Sequence, residues 1–246
     1  MTPIWIFPAY PLLIIGPHAG ILSGRLGQAE AFGIVVGGFT IQGIGFLVAL
    51  MIYASFMYRL MTQKLPQESA RPGMFVSVGP SGFTVAGLIS MAEHAERVLP
   101  PGFMGDSRLA AIILKVVASW SSLWIWGLAF WFFFVSVGAH WSCVERRQLT
   151  FALNWFSFVF PNTALITATF AIGKAFDAKA IKIIGCVMTP LLILVWVGVV
   201  VMMVRAVILK QILWPQKDED RDEGGFVGPE KRSTSKDTRI SRAGTV

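Results

Sequence analysis

Two threonines, Thr163 and Thr167, stand one helical turn apart in the apolar stretch FVFPNTALITATF, just after Pro161. A hydroxyl group can donate a hydrogen bond to an anion without holding it as a lysine would, and a transported ion must leave again. Proline within an apolar helix removes a backbone donor and kinks the helix. The three-and-four spacing predicts that Phe156 and Phe160 share one helical face with both threonines.

Two more apolar segments combine prolines with small polar groups on one predicted helical face. Kinks and small residues open a lumen, and a phenylalanine can close it. We therefore interpret the three faces as lining a conduit. The predicted pore-lining residues are Pro8, Pro11, Ser77, Pro80, Ser81, Thr84, Pro161, Thr163 and Thr167. The stripes alone leave a second interpretation open, because Ser, Thr and Gly are also common where membrane helices pack together.

Catalytic chemistry finds little support in the sequence. His18 ends the first apolar segment and His140 lies beside Trp141. Neither histidine is accompanied by a paired acid, a nucleophile elbow or a metal-spaced cluster. We interpret both as interface anchors and predict no catalytic residue, no metal site, no cofactor and no enzymatic activity.

The composition indicates the elements that must position these residues. Of the 246 residues, 54% are hydrophobic and 14% are charged, and the mean hydropathy is +0.64. The charges cluster between long apolar runs and near the C-terminus, which is typical of a polytopic membrane protein. The formal net charge is +7, but the lysines and arginines lie beside the apolar runs and in the tail. This distribution predicts no nucleic-acid partner.

Six apolar runs predict an all-α integral membrane protein that crosses the bilayer six times. The predicted spans are Ile4–Leu22, Phe32–Tyr58, Met74–Met91, Leu109–Val137, Leu149–Ile172 and Ile181–Leu213. The odd-numbered spans carry most of the prolines and the hydroxyl faces described above, and the even-numbered spans read as bulky, continuous helices. Residues 1–213 form the predicted transporter domain, and residues 214–246 are predicted to be a disordered tail, because they are too polar to bury a core.

Lysine and arginine are more numerous on the side of the predicted membrane that holds both termini, mostly because of the tail. This bias predicts a cytoplasmic C-terminus.

Three stretches carry a resemblance to a known family: TPIWIFPAYPLLIIGPHAGIL, RPGMFVSVGPSGFTVAGLISMA and WFSFVFPNTALITATFAIGKAF. They resemble the fifth, seventh and ninth helices of the family that joins fungal malic-acid transporters, bacterial tellurite-resistance proteins and plant slow anion channels. The order and spacing agree, and the resemblance extends over about the first 213 residues. The stretches RPGMF and FVFPNT look closest to the fungal C4-dicarboxylate branch, with the sulfite-efflux branch as the competitor.

The resemblance implies a ten-helix fold in which five kinked inner helices surround a pore and the even helices form an outer layer. It places the pore-blocking phenylalanine of the ninth helix at Phe160, with Phe156 as a second candidate. The six spans resemble helices five to ten, so three of five pore helices are expected here. The chain is then a truncated gene product, a fragment that needs a partner to supply the missing helices, or part of an oligomer, since family members are commonly trimers.

The expected function is transport of organic anions across the plasma membrane of a fungus, with malate or other C4 dicarboxylates as the small-molecule partners. Two alternatives stay open. One is efflux of sulfite or another inorganic anion, and the other is an inactive or regulatory fragment that pairs with a full-length paralogue.

Overall fold

Six helical stretches are long and apolar enough to cross a membrane. The computed structural model describes residues 3–63, 65, 66, 68–145 and 153–209, and the regular structure in those ranges is entirely helical. The stretches are Ile4–Ser23, Gln28–Thr62, Ala70–Glu93, Ser107–Trp141, Leu153–Ala175 and Lys179–Ile208. The six predicted spans are thereby confirmed. The predicted start of the fifth span, the predicted end of the sixth and the predicted tail lie outside the described residues.

Every odd-numbered span begins as a 3-10 turn and continues as an α-helix, whereas each even-numbered span is one uninterrupted α-helix. The 3-10 turns are Pro3–Ala9, Glu68–Ser77 and Leu153–Phe158. The α-helices are α1 (Tyr10–Ser23), α2 (Gln28–Thr62), α3 (Val78–Glu93), the short α4 (Ala95–Val98), α5 (Ser107–Glu145), α6 (Phe160–Ala175) and α7 (Lys179–Ile208). The predicted division between kinked and straight spans is confirmed.

Prolines explain where the odd-numbered spans change from 3-10 turn to α-helix. Pro11, Pro80 and Pro161 each lie in the first turn of their α-helix. Proline is tolerated there because the first-turn N–H groups have no partner within the helix. It also disfavours α-helical geometry in the residue before it. The helices α2 and α5 contain no proline and run without a break. Helix α7 also runs without a break, although it contains Pro190 in its interior.

Helix α3 is the centre of the packed spans. It contacts α1 on one side and α6 on the other, and α5 and α2 also pack against it. In the most apolar window of the third span, 83% of the residues are buried. Contact with α6 is close at Gly82, where an added Cβ would lie 2.7 Å from the backbone carbon of Ala164. Only a residue without a side chain fits at this crossing.

Two buried tyrosines stabilise the junction between the 3-10 turn and α3. The hydroxyl of Tyr10 donates a 2.6 Å hydrogen bond to the carbonyl of Val76, and that of Tyr53 donates a 2.7 Å bond to the carbonyl of Ser77. In a regular helix the N–H of residue 80 would bond the Val76 carbonyl, but Pro80 has no N–H to donate. Tyr10 therefore supplies the donor that the proline removes.

The chain divides into two units, Met1–Val204 and Arg205–Val246. The first unit holds most of the six spans. Within the first unit, residues 179–204 of α7 are largely exposed and apolar. In the most apolar part of the sixth span, only 11% of the residues are buried. A helix that is apolar all round suits a lipid environment. Of the second unit, the structure describes residues 205–209.

Candidate functional site

Helix α6 presents an open face that carries the residues predicted from the spacing. Thr163 and Thr167 are exposed, Phe160 is 43% exposed, and Pro161 is buried beneath them. The Thr163 hydroxyl donates to the carbonyl of Val159 at 3.1 Å, and the Thr167 hydroxyl donates to the carbonyl of Thr163 at 2.9 Å. Such bonds to the preceding turn are common for threonine in helices. Both hydroxyl protons are therefore engaged by the helix's own backbone, and the oxygen lone pairs face outward.

The Phe160 ring meets one aromatic ring from each of the two other kinked helices. Its centroid lies 5.5 Å from that of Tyr10 on α1 and 5.3 Å from that of Phe83 on α3. The Tyr10 and Phe83 rings are 6.0 Å apart and meet edge to face. These separations are in the range of favourable aromatic pairs. The sequence does not single out Tyr10 or Phe83, because aromatic residues are frequent throughout the spans.

The three kinked helices run in the same direction. Near their starts they meet at the three aromatic rings, and near the ends of α3 and α6 the ammonium group of Lys174 bonds the carboxylate of Glu93. Lys174 lies on the same face of α6 as Phe160 and Thr167, by the spacing of helical turns. The open face of α6 therefore leads from an aromatic group at one end to an ion pair at the other.

Helix α1 also has an open face. Pro8, in the preceding 3-10 turn, and Pro11 are both exposed, as is His18. The ring of His18 bonds the Ile14 carbonyl through Nδ1 at 2.8 Å. A carbonyl only accepts, so Nδ1 is the ring nitrogen that donates in this contact.

The predicted lining residues of the third span lie elsewhere. Ser77, Ser81 and Thr84 are buried on the side of α3 that faces α2. The Ser77 hydroxyl donates to the carbonyl of Met74 at 2.7 Å, and the Ser81 hydroxyl lies 3.3 Å from that of Tyr53. The structure does not bring these groups onto the open face with Thr163 and Thr167. Their pore-lining role stays a prediction.

Two other predicted residues, Pro80 and Phe156, and the hydroxyl of Thr84 have different environments. Pro80 is buried beside Gly79, in the first turn of α3. The Thr84 hydroxyl is buried without a hydrogen-bond partner among the described residues. Phe156, the second gate candidate, is partly buried in the 3-10 turn before α6.

A second ion pair joins the loop between α6 and α7 to the first turn of α7, near the Lys174 end of α6. The Lys182 ammonium donates a 2.7 Å hydrogen bond to the Asp177 carboxylate. This bond and the charge of Lys182 hold the pKa of Asp177 below its ordinary value. Asp177 has a positive φ of 47°, and the Ala178 N–H bonds the carbonyl of Gly173 at 3.0 Å. The loop is thus a tight turn that fixes its charged groups close to the end of α6.

Comparison with known proteins gives a family and several relatives. The family described as SLAC1, voltage-dependent anion channel, matches residues 1–204. A malic acid transport protein of Schizosaccharomyces pombe is 34% identical over 220 residues, which are 89% of this chain and 50% of that protein. A sulfite efflux pump of Trichophyton rubrum is 24% identical over 200 residues, which are 80% of this chain and 52% of that protein. The chain thus spans about half the length of these curated relatives. No solved structure matches it.

Proposed function

This chain belongs to the SLAC1 family of voltage-dependent anion channels, and from that premise we propose that it takes part in the transport of small organic anions, with malate or another C4 dicarboxylate as the substrate. It is a multi-pass membrane protein. The family and the relatives are named as channels, transporters and pumps rather than as enzymes. The relative named for malic acid transport shares more identity with the chain, 34%, than the sulfite efflux pump does, 24%.

The observation that carries the proposal is the open face of α6. Thr163 and Thr167 lie exposed one turn apart, and Phe160 stands at the start of the same face. Hydroxyl groups along one face of an apolar span gain nothing from contact with lipid. They suit a water-filled path for anions, because an anion needs polar partners to replace its hydration shell. The same face ends at Lys174, whose charge attracts anions to that end.

The hydroxyl bonds suggest how weak binding arises. Thr163 and Thr167 must release their bonds to the backbone before they can donate to an anion. Each exchange returns one hydrogen bond for another, so the net gain is small. Such weak binding favours passage of the anion, because a conducting site has to bind an ion without retaining it.

The lumen requires more protein than the described helices provide. The helices α1, α3 and α6 form a row with one open side, and polar groups on that side cannot face hydrocarbon without cost. In the proposal the open side is covered by further inner helices, which come from a partner or from another copy in a homo-trimer. We place the protein in the plasma membrane with the C-terminus in the cytoplasm.

The proposal is tested by anion uptake. The full chain is purified, reconstituted into liposomes, and supplied with radiolabelled malate under an imposed voltage. Uptake above that of empty liposomes is expected, and it should fall several-fold in Thr167→Val. The matched control is Thr40→Val on α2, because the exposed Thr40 makes the same bond to the preceding turn, at 2.9 Å to Val36. Uptake that responds equally to the two substitutions would refute the assigned path.

The same assay separates the competing functions. Sulfite efflux is favoured instead if labelled sulfite crosses and malate neither crosses nor competes. If the chain alone is silent but alters the currents of a co-reconstituted full-length relative, and Thr167→Val leaves that effect unchanged, the regulatory-fragment alternative is favoured. If the chain alone transports neither anion and also leaves the currents of the full-length relative unchanged, the assignment to transport is overturned.

A further inference from the structure

Tyr10 and Phe83 hold the Phe160 ring from two sides, and we propose that these two residues position it as the gate. The inference rests on the proposed function, because a gate has meaning only if anions pass. It assigns to Tyr10 and Phe83 a role that their sequence context does not indicate. We call the two rings the aromatic seat of Phe160.

The seat joins three helices at one point. Phe160 packs on Tyr10 with an interplanar angle of 38° and on Phe83 with an angle of 44°. The two seat residues complete the triangle with an edge-to-face contact at 81°. Tyr10 and Phe160 are separated by most of the chain, so only the packing of α1, α3 and α6 brings the rings together. Phe160 is 43% exposed, so part of the residue faces the open side.

The Tyr10 half of the seat is fixed by the backbone of the third span. The Tyr10 side chain is 3% exposed, and its hydroxyl is held by the Val76 carbonyl at 2.6 Å. The ring crosses α3 at Gly79, where an added Cβ would overlap the Tyr10 hydroxyl. Tyr10 therefore has little freedom to follow Phe160 when that ring moves.

The Phe83 half of the seat is fixed by a buried amide. The Gln42 side chain on α2 is 1% exposed and donates a 2.9 Å hydrogen bond to the Phe83 carbonyl. It reaches that carbonyl between Gly16 of α1 and Gly87 of α3, and a Cβ at either glycine would overlap the amide. The amide thus holds the backbone of Phe83 at the crossing of α1, α2 and α3. A seat fixed on both sides favours one orientation of the ring that rests on it.

The aromatic seat stabilises the position of the Phe160 ring in which the gate is closed. Phe160 is the first residue of α6, and rotation of its side chain about its own bonds leaves the backbone hydrogen bonds of the helix unchanged. What opposes rotation is the loss of two ring contacts. Each such contact changes an equilibrium by about 2- to 12-fold. Removing the Phe83 ring should therefore raise the open fraction by about that factor.

The test reads the ring directly. We would place 4-fluorophenylalanine at position 160 of the full chain in nanodiscs and record its fluorine spectrum. A seated ring gives a broad resonance displaced from that of the same label at Phe39, which is 58% exposed on α2. In Phe83→Leu the resonance should narrow and move towards the exposed reference. It should be restored in Phe83→Tyr, which keeps an aromatic ring. Phe134→Leu, at an exposed position on α5, is the control and should leave the signal unchanged.

Malate flux supplies the second readout. Phe83→Leu should raise flux in the parent protein and have no effect in a Phe160→Ala background, because the seat acts only through that ring. Tyr10→Leu is a second seat variant, and circular dichroism checks that each variant is folded. An unchanged fluorine signal in folded Phe83→Leu and Tyr10→Leu would overturn the proposal, as would a changed signal with unchanged flux in a transporting protein. If no variant shows malate flux but the fluorine signal still changes in Phe83→Leu, the positioning role of the seat is supported. The proposed transport function is then refuted.

Discussion

Replacing Tyr10 by phenylalanine should destabilise the protein because it leaves the Val76 carbonyl without the donor that compensates for Pro80. The substitution keeps the ring, which is 3% exposed, and removes the 2.6 Å hydrogen bond alone. An unsatisfied buried polar group costs about 1–3 kcal/mol in soluble proteins. Hydrogen bonds between membrane helices average about 0.6 kcal/mol and reach about 1.7. The short bond and the nearly complete burial place the expected loss near the upper part of that range, at about 1–2 kcal/mol.

The assay is reversible unfolding in mixed micelles with increasing SDS, followed by circular dichroism, with free energies extrapolated to zero SDS. Tyr58→Phe is the matched control, because Tyr58 is 69% exposed on α2 and should lose a few tenths of a kcal/mol at most, roughly as for other surface changes. A double-mutant cycle with Pro80→Ala isolates the cause. Alanine restores an N–H to residue 80, so Tyr10→Phe should cost less in that background. An equal cost in both backgrounds, or a cost no larger than that of the control, would refute the compensation.

Three further predictions use flux and stability. Phe160→Ala should raise malate flux by up to about 30-fold, since it removes two aromatic contacts of about 1 kcal/mol each; unchanged flux at normal surface expression counts against the gate. Glu93→Gln releases Lys174 from its ion pair and should lower the KM for malate about twofold at low salt, an effect that screening removes at high salt; the same KM at both salt concentrations would contradict it. Gly82→Ala should destabilise the protein by about 1–3 kcal/mol because its Cβ meets the backbone of α6, whereas Gly33→Ala, with nothing within 4 Å, should be neutral or slightly stabilising; equal unfolding free energies for the two would be evidence against the close crossing.

The spans and their alternation could be predicted from the sequence because both depend on near neighbours in the chain. Length and hydropathy define the six crossings. The prolines mark the three junctions between 3-10 turn and α-helix through a missing N–H and a fixed φ, which act on adjacent residues. The open face with Phe160, Thr163 and Thr167 follows in the same way from helical periodicity.

Periodicity defines a face but does not say what that face meets. Ser77 and Ser81 share a stripe of α3 as predicted, yet the structure turns that stripe towards Tyr53 of α2 rather than towards the open side. The hydroxyls of Thr163 and Thr167 are exposed as expected, but their protons bond the backbone of the preceding turn. Neither fact can be deduced from spacing, because the rotation of a helix about its axis is set by its neighbours.

The sequence by itself determined a six-span helical membrane protein and the positions where its odd-numbered spans change from 3-10 turn to α-helix. It also offered two gate candidates, Phe160 and Phe156, whose role stays a prediction. The tertiary structure alone decided that Tyr10 and Phe83 meet the Phe160 ring, that Gln42 bonds the Phe83 carbonyl, and that Lys174 pairs with Glu93. The physical reason is the range of the interactions. Backbone geometry and burial preference act within a few residues, whereas these contacts join residues many turns apart and exist only once close packing has fixed the position and rotation of each helix.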